Sequence, residues 1–461
     1  MKILRFRADK LHGYLNFDLN FESNLVFLTG INGSGKTSIV RSIIALLTPS
    51  AVTLAEMEYA SVSVTVSTID GELTIQSERS EDEIILRCTT VDGDLRIPKL
   101  RKEAFESRSH FLVRQRDFYR EQEAMSIQNP TLAAIDKLPT PMFLDLERRY
   151  QEGGRLRRGL DESRGRASPV NPLAGSIRDS LDVAGGLAER AYRNYLAGRS
   201  QRTDNLKQQM VLLAFRLSKE ERDFDLIPSA TERRDVLKKI ARNEKVLPDS
   251  LSQIGISVDS IGDIVLPFFS RVREVVRELP SRKMLEGEGM TDKAIKSMQE
   301  WSAISPQVRQ IDQLVELIEQ YNSDVSAIFS PINSYLVSVN SFLTDSNKEL
   351  SFDSSGNLQV EITPDAMPRP ITALSSGERQ LVVILTHLAF NQQAKRANVL
   401  IIDEPELSLH VRWQELFVDA VLGASPGIQL ILATHSPGII RGRQDSCIDV
   451  QEAQQSDSLF G

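Results

Sequence analysis

Cysteine is almost missing from this chain: Cys88 and Cys447 are the only two in 461 residues. Two thiols so far apart supply neither a disulfide framework nor a zinc site, and they suit a reducing cytoplasm. Histidine is also sparse, with five residues that show no ligand spacing. No apolar run approaches the ~20 residues of a membrane span. The N-terminal stretch MKILRFRADKLHGYLNFDLN alternates charge with apolarity, unlike a signal peptide. These absences point to a cytoplasmic protein with no membrane partner. An excess of basic charge is lacking too. The formal net charge is −8, so the chain as a whole should not coat nucleic acid, although a local basic groove stays open. Nor are there three or four consecutive heptads, which argues against a long coiled-coil arm. What remains is a chain of globular composition, 41% hydrophobic, long enough for two or three domains.

The most informative stretch is GINGSGKTS, Gly30 to Ser38. The apolar run Leu25 to Leu28 precedes it and a helical pattern, Ile39 to Leu47, comes after it. Strand, glycine-rich loop and helix form the setting of a phosphate-binding loop. Its glycines let backbone N–H groups turn around an anion, and the helix N-terminus adds partial positive charge. Asn32, Gly33, Ser34, Gly35, Lys36, Thr37 and Ser38 are therefore candidate nucleotide ligands. Lys36 would reach the β- and γ-phosphates, and the Thr37 hydroxyl would hold Mg²⁺.

Around this loop the pattern reads as strands. Leu15, Phe17 and Leu19 alternate with polar residues, as do Val62, Val64 and Val66. Turn signals at Asp70-Gly71 and Asp92-Gly93 divide the latter region into an antiparallel sheet. Phe111-Leu112-Val113 reads as a short strand leading to Gln115, a candidate for Mg²⁺ or the attacking water; the plainer alternative is a solvated glutamine. Pro141 to Leu146 reads as a buried strand. Between Arg148 and Arg166 arginines crowd a glycine- and serine-containing segment, which is either a solvated linker or a contact for phosphate or an acidic partner. From about 175 to 345 the chain reads as helical. There Ile311, Leu314, Val315, Ile318, Tyr321, Val325 and Ile328 share one face and read as core. Leu350 to Ile362 returns to strand, with a turn at Ser355-Gly356.

Three later motifs belong with the loop. In Leu374 to Gln380, a Ser-Ser-Gly turn opens a helix whose N–H groups, with the Ser375 hydroxyl, can grip a terminal phosphate. Val399 to Ile402 makes a strand buried on both faces, from which Asp403 and Glu404 emerge. Asp403 suits Mg²⁺ through water, and Glu404 suits orienting the attacking water. A second buried strand, Gln429 to Ala433, ends in Thr434-His435-Ser436, where His435 can donate to a γ-phosphate.

Taken together these residues resemble the ATP-binding-cassette superfamily in its SMC-like and OLD-like branch. Gly30 to Thr37 is similar to Walker A, Leu374 to Glu378 to the signature motif, Ile401 to Glu404 to Walker B with its catalytic glutamate, and His435 to the switch histidine. The likeness covers roughly residues 1–150 and 311–461. It implies an α/β fold: an ABC-ATPase-type P-loop head with a mixed, largely parallel core sheet and an antiparallel β subdomain. The head is expected in two halves, 1–150 and 311–461, with a mostly helical insertion at 151–310. The resemblance adds Ser375, Ser376, Gly377 and Glu378 to the nucleotide ligands. It gives Glu404 and His435 the catalytic roles, assigns Thr37, Asp403 and Gln115 to the metal, and implies ATP and Mg²⁺. The signature departs from LSGGQ, reading LSSGE. The loop after Walker B, EPELSLH, carries His410 where transporters and SMC proteins commonly have Asp. That form is similar to OLD-family ATPases and to ATPase subunits of anti-phage systems of the Septu, PARIS or retron type.

The family geometry places one ATP between the Walker A loop of one copy and the signature helix of another, so a two-fold dimer or a ring of such pairs is expected. Three readings are open. The first is a slow, ATP-gated scaffold of a defence system that holds or releases a separate effector, nuclease or toxin, triggered by DNA or a phage protein. About twenty-five residues come after His435, too few for the Toprim nuclease of OLD proteins, so a nuclease is expected on another polypeptide. The second is an SMC-like or RecF-like DNA-repair ATPase, which would need the arginine segment as its DNA surface. The third, a transporter subunit, fits poorly with the roughly 340 positions between Lys36 and Ser375.

Overall fold

In the computed structural model, residues 1–103, 106–126, 128–144, 150–152, 177–215, 228–254, 259–280, 291–365 and 367–455 are described. The arginine segment from Arg148 to Arg166 falls almost wholly outside them.

The alternating N-terminal residues form β1 (Lys2–Leu11) and β2 (Leu15–Asn20), an antiparallel hairpin. After β3 (Leu25–Thr29), α1 (Lys36–Leu47) and α2 (Ala51–Glu56) come β4 (Ser61–Thr68), β5 (Gly71–Arg79), β6 (Glu83–Cys88) and β7 (Leu95–Pro98). They join the hairpin in a six-stranded antiparallel sheet of order β2-β1-β4-β5-β6-β7. Val62, Val64 and Val66 are fully buried, so the alternation does mark the core face. Gly71 and Gly93 sit at positive φ in the two expected turns.

Phe111, Leu112 and Val113 are not a strand. They lie in α3 (Arg108–Met125), which Ser107 caps by accepting from the His110 N–H. Three apolar residues are too few to separate the two periods, and the charged flanks continue the helix. After α4 (Pro130–Asp136), β8 (Met142–Leu144) occupies part of the expected buried strand and pairs antiparallel with β9 (Tyr150–Glu152).

The second sheet takes its remaining strands from the far end of the chain: β13 (Val399–Asp403), β14 (Gln429–Ala433) and β15 (Cys447–Asp449). Its order is β15-β3-β14-β13-β8-β9, parallel except for the last pair. Every residue of β13 and β14 is buried. Alternate residues serve two cores. Val399, Ile401, Ile431 and Ala433 pack with α1 and the antiparallel sheet. Leu400, Ile402, Leu430 and Leu432 pack beneath α9 (Ser376–Phe390) and α11 (Val411–Ala424). The short α10 (Gln392–Ala397) links α9 to β13. The late strands β10 (Lys348–Phe352), β11 (Leu358–Ile362) and β12 (Arg369–Pro370) make a small antiparallel sheet, and α12 (Pro437–Ile440) and α13 (Val450–Gln455) flank β15. The fold is mixed α/β, with a P-loop core sheet and an antiparallel β subdomain.

The chain divides into two compact units, Met1–Tyr192 with Ile332–Gly461, and Arg193–Pro331. These bounds differ from 151 and 310 because the divisions fall inside helices, α5 (Ile177–Phe215) and α8 (Asp292–Leu343). The second unit also holds α6 (Ala230–Gln253) and α7 (Asp259–Glu278). The predicted apolar stripe is core: Val315, Ile318 and Tyr321 are buried with Ile240, Val272, Val275 and Trp301. At 52 residues α8 is far longer than the broken heptad pattern suggested. Within this unit it runs antiparallel to α5, joined by the Thr203–Tyr321 hydroxyl bond (2.9 Å) and by the rings of Tyr195 and Phe329. Bulky aromatic contacts, with Ile328 against Gly198, replace a regular heptad seam.

Candidate functional site

Three strand ends converge. Because β3, β14 and β13 are adjacent and parallel, the loops leaving their C-terminal ends gather at one edge of the sheet, where ligands bind in open α/β sheets.

After β3 comes the glycine loop. Gly30, Gly33 and Gly35 have φ of 141°, 84° and 101°. A Cβ at Gly30 would meet Ser34 Oγ at 2.9 Å, and one at Gly35 would meet the Phe17 ring at 2.9 Å. Gly35 caps α1 in the left-handed region without any side-chain cap, so the first-turn N–H groups keep their anion-binding capacity. Asn32 and Gly33 are exposed, whereas Ser34 and Lys36 are buried. The Lys36 ammonium donates to the carbonyls of Gly30 (2.9 Å) and Ile31 (3.1 Å). Burial pushes its pKa down, opposed by the charges of Glu404, Asp403, Glu406 and Asp449. Those neighbours bring the glycine loop and the acidic end of β13 together around one lysine. Thr37 and Ser38 are half-buried, and Ser38 Oγ lies 2.6 Å from His12 Nε2.

After β13 comes the acidic pair. Both carboxylate oxygens of Asp403 are buried. Glu404 is half-buried and adopts a left-handed conformation, φ 50° and ψ 58°, directly before Pro405. Such backbone is strained for a residue with a Cβ and gathers at functional sites. Its N–H donates to the Ala433 carbonyl at 2.8 Å, tying it to the neighbouring strand. After β14, Thr434 is buried and His435 is exposed.

The structure adds residues that sequence reasoning missed. Glu406 accepts from the Thr434 hydroxyl and from the His435 N–H, each at 2.8 Å. Gln414 donates to the Leu409 carbonyl and accepts from the Ser436 hydroxyl. Glu406 stood inside the EPELSLH stretch, but nothing local in the sequence reveals partners 28 residues away. His12 carried a weak signal, since it precedes the turn glycine of the first hairpin. His410 serves as the N-cap of α11, its Nδ1 accepting from the Arg412 N–H.

The signature segment is a complete capping box. Ser375 Oγ accepts from the Glu378 N–H, and Glu378 Oε2 accepts from the Ser375 N–H. Ser375 and Ser376 are exposed, Gly377 is buried, and the Glu378 carboxylate faces inward. There it meets Lys348 (2.7 Å) and the Ser346 hydroxyl (2.8 Å). Burial raises its pKa, but these bonds prevail and hold it below the ordinary range. Glu378 therefore shapes the helix start; an anionic side chain engaged this way is no ligand for a phosphate. Gln115 also needs correcting: it is buried on α3, not at a strand end, which removes the argument that put it on the metal.

The family described as "AAA domain, putative AbiEii toxin, Type IV TA system" matches residues 193–441, more than half of the chain. The chain belongs to this family. A relative, the "Retron Vc95 probable ATPase" of Vibrio cholerae serotype O1 biovar El Tor, is 26% identical over 141 residues. That match takes in 28% of this chain and 27% of the relative, so the chain spans only about a quarter of that protein's length. Among solved structures, the Smc head domain of Pyrococcus furiosus, bound to the C-terminal domain of ScpA, aligns over 100% of this chain and 99% of its own at 12% identity and a TM-score of 0.39. The Smc head of Pyrococcus yayanosii aligns over 95% and 93% at 15% identity and a TM-score of 0.35. The fold assignment for this AAA-domain protein rests on its strand order and loop geometry.

Proposed function

We propose that this protein is a slow ATPase that acts as a switch. In its closed state, two copies would meet head to head over shared nucleotide, and the assembly would hold or release a separate effector of an anti-phage system. The observation that carries the reading is the meeting of the glycine loop with Asp403 and Glu404 around the Lys36 ammonium, at the sheet edge where β14 also ends before His435. Asn32 to Ser38 would wrap the phosphates. Thr37 and Asp403 offer an oxygen pair suited to Mg²⁺, which when bound would neutralise phosphate charge. Glu404 would orient water for in-line attack on the γ-phosphorus and take its proton as the bond to the β–γ bridging oxygen breaks, giving ADP and phosphate. Ser375 and Ser376, exposed at the start of α9, suit the phosphate of a second copy. Exposed Ile31, Leu407 and Val411 offer apolar surface for that contact. A separate effector finds support in the family's toxin–antitoxin description and the relative's retron name.

The test is Glu404→Gln. Phosphate release should fall by at least about a hundredfold, with ATP binding retained and a dimer or larger assembly appearing in gel filtration with ATP and Mg²⁺. Undiminished phosphate release, or an assembly that ignores ATP, would sink the proposal.

A further inference from the structure

Glu406 is an acidic residue of the site to which the nucleotide reading gives no work. Both oxygens of its carboxylate reach the neighbouring strand end: one accepts from the Thr434 hydroxyl, the other from the His435 backbone N–H, both at 2.8 Å. The Glu406 backbone is held from the other side, since its carbonyl and that of Leu409 accept from Gln414 Nε2 at 3.3 and 3.0 Å. Gln414 Oε1 then accepts from the Ser436 hydroxyl at 2.6 Å. Ser436 in turn caps α12 by accepting from the N–H groups of Gly438 and Ile439. Gly438 approaches so closely that a Cβ there would lie 3.3 Å from Gln414 Oε1. The ring of bonds closes on itself: Glu406, Thr434 and His435, Ser436, Gln414, and back to Glu406. It joins three segments: the loop after β13, the first turn of α11, and the chain leaving β14.

We infer that Glu406 is a positioning residue that fixes where His435 stands at the γ-phosphate end of the site, with Gln414 as the second jaw of the same clamp. The inference rests on the nucleotide-site reading above and deepens it. The imidazole is exposed, and the Glu406 carboxylate anchors its backbone N–H. A side chain that must meet one phosphate oxygen loses most of its value when its backbone can drift by an ångström. The clamp therefore contributes to discrimination between ATP and ADP, because only ATP carries the group that His435 would meet. Reach is what this role demands of residue 406, and charge is secondary. A glutamine can place Oε1 on the His435 N–H while Nε2 donates to Thr434 Oγ1, a hydroxyl oxygen with a second lone pair beside the one that accepts from the Ser436 N–H. An aspartate keeps the charge but falls one methylene short.

The experiment uses the full chain with Mg²⁺ and compares calorimetric affinities for ADP and for the β,γ-imido analogue of ATP, so that no turnover is needed. Glu406→Asp and Glu406→Ala should each cut the triphosphate-over-diphosphate preference by about tenfold, the scale of one charge-assisted hydrogen bond. Their affinity for ADP should stay within about threefold of wild type. Glu406→Gln should restore the preference to within about threefold. Should the alanine variant fail to fold, the Asp and Gln pair still decides. A preference unchanged in Glu406→Asp, or Glu406→Gln as impaired as Glu406→Asp, would overturn the inference. Wild-type protein that binds neither nucleotide would remove the site reading itself, whereas binding with an unchanged preference removes the clamp alone.

Discussion

The side chain of Gln429 stands in for a strand beside Ile3. Its Oε1 accepts from the Ile3 N–H and its Nε2 donates to the Ile3 carbonyl, both at 2.7 Å, across 426 positions of sequence. Both residues are buried, so this amide ties the antiparallel sheet to the core sheet where water cannot replace it. Gln429→Leu leaves a buried donor and a buried acceptor without partners, at about 1–3 kcal/mol each. The expected loss is about 3 kcal/mol in urea unfolding. A loss under ~0.5 kcal/mol, the range of an ordinary surface change, would mean that the two sheets do not depend on this contact.

Glu404 sets stability against chemistry. A residue with a Cβ in the left-handed region costs roughly 1–2 kcal/mol, and here Pro405 adds its own restriction on the preceding residue. Glu404→Gly should therefore raise the unfolding free energy by about 1 kcal/mol, after allowance for glycine's greater entropy when unfolded. Phosphate release should be lost at the same time. A variant both inactive and clearly less stable would show that the carboxylate, not the backbone, governs stability here.

Lys36 has an occupation without nucleotide, since it holds the Gly30 and Ile31 carbonyls. Lys36→Ala should weaken ATP binding by about a hundredfold, as expected when a buried phosphate loses a charged partner. Calorimetry with ATP and Mg²⁺ gives the answer, and an affinity within twofold of wild type would displace Lys36 from the phosphate site.

His387, in the last turn of α9, makes the head sensitive to acid. Burial lowers its pKa from 6.5 to about 4, and its Nδ1 lies 3.0 Å from the Asn391 amide nitrogen. The folded protein keeps the imidazole neutral at pH values where the unfolded chain already takes up a proton. Its stabilising contribution is therefore present above pH 6.5 and is lost as pH falls towards 4, with a full size of order 3 kcal/mol. Unfolding free energies measured from pH 7 to 4 should decline less steeply in His387→Gln than in wild type. Parallel curves would dismiss the histidine as the cause.

The glycine loop was legible because its chemistry forces residue types: a Cβ at Gly30 or Gly35 would collide with Ser34 or Phe17. The valines of β4 and the apolar runs of β13 and β14 were legible for a similar reason, since burial on one or both faces writes itself into residue choice. The helical state of Phe111–Val113 was not, because three residues carry no period. The bounds of the helical unit were hidden for another reason. The divisions fall within α5 and α8, where composition does not change. The inward turn of Glu378 and the tasks of Glu406 and Gln429 depend on partners that only the folded chain brings near.

The place of β3 in its sheet matters before the molecule exists in finished form. Its neighbours are β14 and β15, and the first of these begins 400 positions after β3 ends. At 5–20 residues per second, a ribosome leaves Val26, Phe27 and Leu28 without their mates for about 20–80 s. The antiparallel sheet, complete by Pro98, is in a position to shelter one side of them meanwhile. Biosynthesis is thus the stage at which this protein is most open to sticking and to chaperone capture, and truncated products lacking the last strands should aggregate.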